Sequence, residues 1–245
     1  MKEKTIILTI MMIFLGFFTF ACVKLQTKES QNSKSEFENF PVESTGKLKS
    51  TEFYPILSNG KWGYIDITGK YVIEPQFDFA LKFSEGLAVV YKGTEKSGKW
   101  GYIDGTGKYI ITPHFDEACN FSEGLARVRI GDAITGKWGY IGKTGEYAIK
   151  PQFNFAEDFS EGLAAIIIGD WETGKWGYIN KTMELVINAQ FDEGYRFSEG
   201  LARVQIGGFD GKWGYINNNG QYVYPMASTG KNGGGQNGSI PISVN

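Results

Sequence analysis

Gly136-Lys137-Trp138-Gly139-Tyr140-Ile141 is one of five copies of the same hexapeptide, whose Trp falls at 62, 100, 138, 176 and 213, at spacings of 38, 38, 38 and 37 residues. Phe121-Ser122-Glu123-Gly124-Leu125-Ala126 recurs four times, with its Phe at 83, 121, 159 and 197. Between the two motifs, Phe77, Phe115, Phe153 and Phe191 each follow a Gln or His. Self-similarity at this period marks a repeat architecture, in which each unit buries its apolar face against its neighbours.

Within one unit the strand signals are short. Leu125-Ala-Arg-Val-Arg-Ile130 places Leu125, Val128 and Ile130 in imperfect alternation with polar residues. Lys137–Ile141 follows a Gly-bearing loop, and Glu146-Tyr-Ala-Ile149 follows Lys-Thr-Gly. Gly69 in the first copy stands where a hairpin turn needs positive φ. Pro75, Pro113 and Pro151 cannot donate to a ladder, so they are expected to mark the end of the third strand. Trp62 and Tyr64 share one face, with Lys61 and Ile65 on the other. Gly63 is expected to leave room beside Ile65 for a neighbouring unit. The array opens on the divergent Phe53-Tyr-Pro-Ile-Leu57 and ends on Gln221-Tyr-Val-Tyr224.

The expected fold is therefore all-β, a tandem array of five three-stranded antiparallel meanders of about 38 residues each, over 53–225. The array is either open and twisted, which this reading favours, or a closed five-bladed propeller-like ring. Closure would remove the two edges an open array must protect, but three strands per blade is few against the usual four. The fourth unit is the least regular, with Ala189 for Pro, Met183 for the turn Gly, and Gly194 before Tyr195.

These motifs, with the Pro-x-Phe-Asp or Pro-x-Phe-Asn linker between them, resemble the WG or KWG repeat family of bacterial proteins. The resemblance implies exported or multidomain proteins whose repeats act as interaction or display modules. It implies no single chemistry.

Composition narrows the classes further. The 245 residues carry 25 Lys and Arg against 27 Asp and Glu, a net charge of -2, which is no footprint for nucleic acid. With 42% hydrophobic and 15% aromatic residues the bulk must fold. The 33 glycines, nearly twice the ~7% of average usage, point with the aromatics to strands and turns. One His and two Cys leave almost no material for a zinc site, a Cys/His nucleophile or a disulfide framework.

Residues 1–22 place Lys2 and Lys4 before an apolar run from Thr5 to Ala21, with Cys22 after it. The stretch resembles a bacterial lipoprotein signal, which implies lipidation of Cys22 as the mature N-terminus. Thr19 stands where such signals usually have Leu, and an uncleaved anchor or an ordinary signal peptide are the alternatives. Residues 23–52 form a polar tether with no basic cluster to stop transfer, and 226–245 a Gly/Asn-rich tail, both expected to be disordered. With Cys22 acylated, Cys119 is the only thiol left and no intrachain bridge can form.

The copies act as their own comparison, since no single active site needs five of anything. Identity in every copy assigns Trp62, Trp100, Trp138, Trp176 and Trp213 to packing; the alternative is one exposed aromatic platform per unit. Glu85, Glu123, Glu161 and Glu199 read as turn residues accepting backbone N–H bonds, rather than as an acidic row for cations. Asp78, Asp116 and Asp192 recur in one linker slot, which signals turns rather than the paired carboxylates of a glycoside hydrolase, and Asp158 lies outside that slot. His114 replaces Gln76, Gln152 and Gln190 and reads as a surface variant. No P-loop, dinucleotide fingerprint, nucleophile elbow or HExxH occurs.

Function should then lie in what varies. The loop between first and second strands reads Gly93-Thr-Glu-Lys-Ser-Gly98, Gly131-Asp-Ala-Ile-Thr-Gly136, Gly169-Asp-Trp-Glu-Thr-Gly174 and Gly207-Gly-Phe-Asp-Gly211. Trp171 and Phe209 are its only aromatics and the candidate ligand-binding residues; folding back onto a neighbouring unit is the competing role. The chain reads as an exported, lipid-anchored, non-catalytic binding or display module of the bacterial cell envelope, with no cofactor or metal. Its partner would be a protein or glycan at the cell surface. The rival functions are a multivalent carbohydrate-binding lectin, a structural envelope spacer and, last, a cell-wall hydrolase. The alternative address is periplasmic or secreted.

Overall fold

The computed structural model describes residues 52–208 and 210–224. The leader with Cys22, almost all of the 23–52 tether, the 226–245 tail and Phe209 lie outside these residues. The described chain is all-β. Unit one holds β1 (Tyr54–Ser58), β2 (Lys61–Ile65) and β3 (Tyr71–Phe77). Unit two holds β4 (Phe79–Ala80), β5 (Ala88–Lys92), β6 (Lys99–Ile103) and β7 (Tyr109–Phe115). Unit three holds β8 (Glu117–Ala118), β9 (Ala126–Ile130), β10 (Lys137–Ile141) and β11 (Tyr147–Phe153). Unit four holds β12 (Leu163–Ile168), β13 (Lys175–Asn180) and β14 (Leu185–Phe191). Unit five holds β15 (Glu193–Gly194), β16 (Leu201–Ile206), β17 (Lys212–Asn217) and β18 (Tyr222–Tyr224).

Each unit is one antiparallel sheet, and the five sheets form an open array. The three expected strands are present throughout, but units two, three and five add a two-residue strand at the edge next to the first long strand. In unit four a single bridge, Ala156 with Ile166, replaces it. The linker therefore pairs with the sheet it leads into rather than looping free, which satisfies backbone groups that burial would otherwise strand.

Gly63 has a different use from the one expected. A Cβ there would lie 2.5 Å from the Ile73 carbonyl oxygen and 2.7 Å from Pro75 N, both in its own unit. The same clash recurs at Gly101, Gly139 and Gly177. The third strand bulges at this point, since Trp62 pairs with Phe77 while Tyr64 pairs with Ile73. Pro75, Pro113 and Pro151 sit inside that bulge and do not end the strand, because a bulge is where a strand tolerates a residue without an N–H.

The core lies between units. Val89, Tyr102 and Ile111 of unit two pack on Ala126, Val128 and Ile141 of unit three, and equivalent clusters join one to two, three to four and four to five. Four of the five motif Tyr reach across the boundary. Tyr64, Tyr102, Tyr140 and Tyr178, all buried, donate from Oη to the carbonyls of Leu81, Cys119, Glu157 and Tyr195.

The Phe-Ser-Glu-Gly-Leu segments are two-residue hairpin turns with positive φ at both central positions, 52° and 90° at Glu85 and Gly86. A Glu in this conformation is disfavoured on its own. In three of the four turns the next unit engages its side chain. The Glu85 carboxylate accepts from Gly124 N at 3.0 Å, Glu123 from Gly162 N at 3.0 Å, and Glu161 from Gly200 N at 2.9 Å. Beside each of these, Ser84, Ser122 and Ser160 donate to the carbonyls of Phe121, Phe159 and Phe197 at 2.7 Å. Lys143 and Lys181 complete two of the clasps, each donating to the backbone carbonyl of Glu85 or Glu123 and lying 3.2–3.3 Å from its carboxylate. Glu85, Glu123 and Glu161 do accept backbone N–H bonds, as expected, but from the neighbouring unit.

Candidate groove between the variable loops

The four variable loops are pinched at their bases. Gly93 has φ of 120°, and a Cβ there would lie 2.5 Å from Gly98 Cα, so the two ends of the first loop meet backbone to backbone. Asp78 accepts from Gly93 N at 2.8 Å, and Asp116 from Gly131 N at the same distance, while Asp192 accepts from Gly207 N and Gly208 N. The motif lysines Lys61, Lys99 and Lys175 pair with these carboxylates. The recurring linker Asp is thus a loop clamp. In unit four Asn154 takes the same place, accepting from Lys137 and donating to the Gly169 carbonyl.

The third position of each loop reads Glu95, Ala133, Trp171 and Phe209, and it decides what lies between consecutive loops. Trp171 folds back onto unit three, where its Nε1 donates to the Ile134 carbonyl at 3.0 Å, and it packs against the core between units four and five. Between the loops of units two and three the equivalent residue is Ala133, too short to cross. There the structure holds a hollow of about 620 Å³, lined by both loops.

One wall is aromatic. Tyr91 and Trp100 lie 5.1 Å apart, centroid to centroid, Trp100 also meets Phe79 at 5.8 Å, and Tyr91 Oη donates to the Thr94 carbonyl. The opposite wall carries a buried ion pair. Arg129 donates from Nε and Nη2 to Glu117 Oε2 at 3.1 and 2.9 Å, and from Nη1 to the Gly131 carbonyl. Burial pushes the Glu117 carboxyl above the usual range, against the pull of Arg129. Both of these Arg129 bonds to Glu117 go to Oε2, so the groove sets a charged pair beside an aromatic surface. Sequence reasoning passed over Glu117, Arg129 and Tyr91. Their slots do not recur as one residue type, and that variation is the signal that could have found them.

The other residues singled out in the sequence have structural surroundings. Trp138 and Trp176 are buried, and Trp62, Trp100 and Trp213 half-buried, in ring stacks that include Trp62–Phe79–Trp100 and Trp138–Phe155–Trp176. His114 is exposed, its Nδ1 2.7 Å from the Thr112 carbonyl, which is the bond Gln76 and Gln152 make to Glu74 and Lys150. Asp158 pairs with Nε of the buried Arg127 at 2.8 Å, and that guanidinium lies over the rings of Trp138 and Phe155. Cys119 is buried in the cluster between units three and four. Among the described residues no three His, Cys, Asp or Glu side chains are grouped to hold a metal ion.

Five sheets built from one sequence unit and clasped in series define a β-repeat protein. The WG containing repeat matches at residues 62–95, 100–132, 138–170, 176–208 and 213–227, and the chain belongs to that family. No curated protein matches it. Among solved structures it is similar to a puromycin hydrolase mutant complexed with PGG, at 12% identity and a TM-score of 0.43, over 69% of this chain and 33% of that one. It is also similar to a eukaryotic initiation factor (9%, TM-score 0.42, 71% and 62%) and to TolB from Acinetobacter baumannii (10%, TM-score 0.41, 70% and 50%). The chain spans less than two thirds of the length of each of these.

Proposed function

We propose that this protein is an exported, non-catalytic binding or display module of the bacterial cell envelope, anchored by lipid at Cys22, and that its ligand enters the groove between the loops of units two and three. The observation that carries the reading is Ala133. Where Trp171 spans the gap between consecutive loops, Ala133 leaves one open, over the Tyr91–Trp100 pair and beside Glu117. Clefts with an aromatic wall and a few placed polar groups are the usual form of a ligand site.

A non-catalytic role is favoured by how the carboxylates are engaged. Asp116 is held by Lys99 and Gly131 N–H and Glu117 by Arg129, whereas glycoside hydrolysis needs one carboxylic acid and one available base or nucleophile. The export reading rests on the apolar run before Cys22. A protein that instead bridges its cysteines would also belong outside the cytoplasm, where disulfides persist, and the intact mass of the membrane-bound protein separates the two.

The test is a glycan array, followed by a panel of envelope proteins, probed with the wild type and with Ala133→Trp. The new indole would reach the Lys96 carbonyl as Trp171 reaches that of Ile134. A ligand lost at least tenfold with unfolding unchanged supports the groove. A ligand bound equally by both proteins places recognition elsewhere, and turnover of purified peptidoglycan would overturn the non-catalytic reading.

A further inference from the structure

The forward face of unit five is the same surface that every other unit buries. Tyr64, Tyr102, Tyr140 and Tyr178 are at most 1% exposed, while Tyr215 in the same slot is 44% exposed. Trp213 beside it is half-buried, with the Arg203 guanidinium 4.0 Å above its ring. At the other end, Ile103, Ile141, Ile179 and Ile216 are buried rear-face residues, while their counterpart Ile65 is partly open, as is Ile56, and Tyr54 is 36% exposed. Terminal repeats of an array ordinarily carry a polar outer face. Unit five keeps the Lys-Trp-Gly-Tyr-Ile segment unaltered instead.

We infer that the forward face of unit five docks on the rear face of unit one of a second copy, so that copies join head to tail. The occupant follows from the molecule's own interfaces. All four internal boundaries set the forward face of one unit on the rear face of the next, and the two surfaces left over are one of each kind. Two forward faces would not repeat that contact, because every internal boundary sets unlike surfaces together. A contact between different surfaces leaves one free face at each end of a pair, and so extends to longer assemblies, ending only where the rotation closes a ring.

Sedimentation of the full-length chain in detergent, over a range of concentrations, tests this. The wild type should form dimers and longer species reversibly. Tyr215→Glu and Tyr54→Glu should each weaken association at least tenfold without changing thermal unfolding. An equimolar mixture of the two variants should give dimers and nothing longer, since only one intact forward face and one intact rear face remain per pair. A wild type that stays monomeric throughout overturns the inference. So does association that survives in both variants, which would come from the leader, or association abolished by Tyr215→Glu alone, which would mean forward faces paired with each other. If only a chain lacking 226–245 associates, the tail is the occupant and the second copy is not.

Discussion

Trp171 Nε1 donates to the Ile134 carbonyl across the boundary between units three and four, while 38 residues earlier the same slot holds Ala133, whose methyl has no donor to offer the preceding loop. One slot thus closes one inter-loop gap and leaves the preceding one open. Replacing Trp171 by Ala should open a second groove at a cost of about 1 kcal/mol for the bond plus the packing of a partly buried ring. Calorimetry should show a small fall in Tm, with the ligand of the first groove retained. Loss of that ligand would mean Trp171 itself is the anchor.

The turn Glu residues should differ by position. Glu85→Ala and Glu123→Ala each remove a carboxylate clasped by the next unit and by Lys143 or Lys181, and should destabilise by about 1–2 kcal/mol, the scale of hydrogen bonds to a charged group. Glu199 has the same strained backbone, φ 56°, with no unit after it, so Glu199→Ala should be near neutral. Equal losses at all three positions, in denaturant titrations, would show the residues acting within their own turns.

Met183 has φ of 67°, in the turn position where other units place Gly69, Gly107, Gly145 and Gly220 at 78–88°. A side chain there works against the conformation, so Met183→Gly should stabilise by about 1 kcal/mol, read as a rise in the denaturant midpoint with unchanged slope.

Arg127 is 4% exposed and binds the Ala156 carbonyl, Asp158 and Glu157, tying unit three to unit four. Arg127→Ala should cost about 3–5 kcal/mol, because the carboxylates it leaves behind are themselves sheltered. A loss under 1 kcal/mol would mean water takes its place.

Acid should destabilise the fold in a defined window. The Thr68 hydroxyl lowers the Asp66 carboxyl pKa, the Thr106 hydroxyl that of Asp104, and the Gly93 N–H, aided by Lys61, that of Asp78. Groups with depressed folded pKa values contribute stability above the unfolded value of 3.8, lost as pH falls below it. Stability should therefore drop steeply below pH 3.8, and Asp78→Asn should make that drop shallower. An unchanged slope in the variant would remove Asp78 from the account.

The repeat, its count and the packing role of the motif Trp were legible because recurrence at one spacing needs no three-dimensional information. The short fourth strand was not, since Phe79-Ala80 is too brief to show alternation and its first position switches between Phe and Glu from copy to copy. Pro75 was misread for a related reason: a proline in a bulge and a proline after a strand look alike in sequence. Nor could sequence show that Glu85 reaches Gly124, because a Glu-Gly turn closes equally well on itself. The groove was legible only in part. The loops stand out in sequence as the variable element, and Trp171 as their bulky residue, but a residue as small as Ala133 carries no sequence signal of the gap beside it.

The bonds that join units run at fixed offsets, 17 residues from each motif Tyr to its carbonyl, 37 from each Ser, 39 between each turn Glu and Gly. Excision or duplication of 38 consecutive residues within the array returns each donor to an equivalent acceptor, so unequal recombination can lengthen or shorten this protein in whole units without redesigning a boundary. The one spacing of 37 fits this logic: the missing residue falls in the loop 207–211, beyond the last clasp, where no later unit has to be met in register.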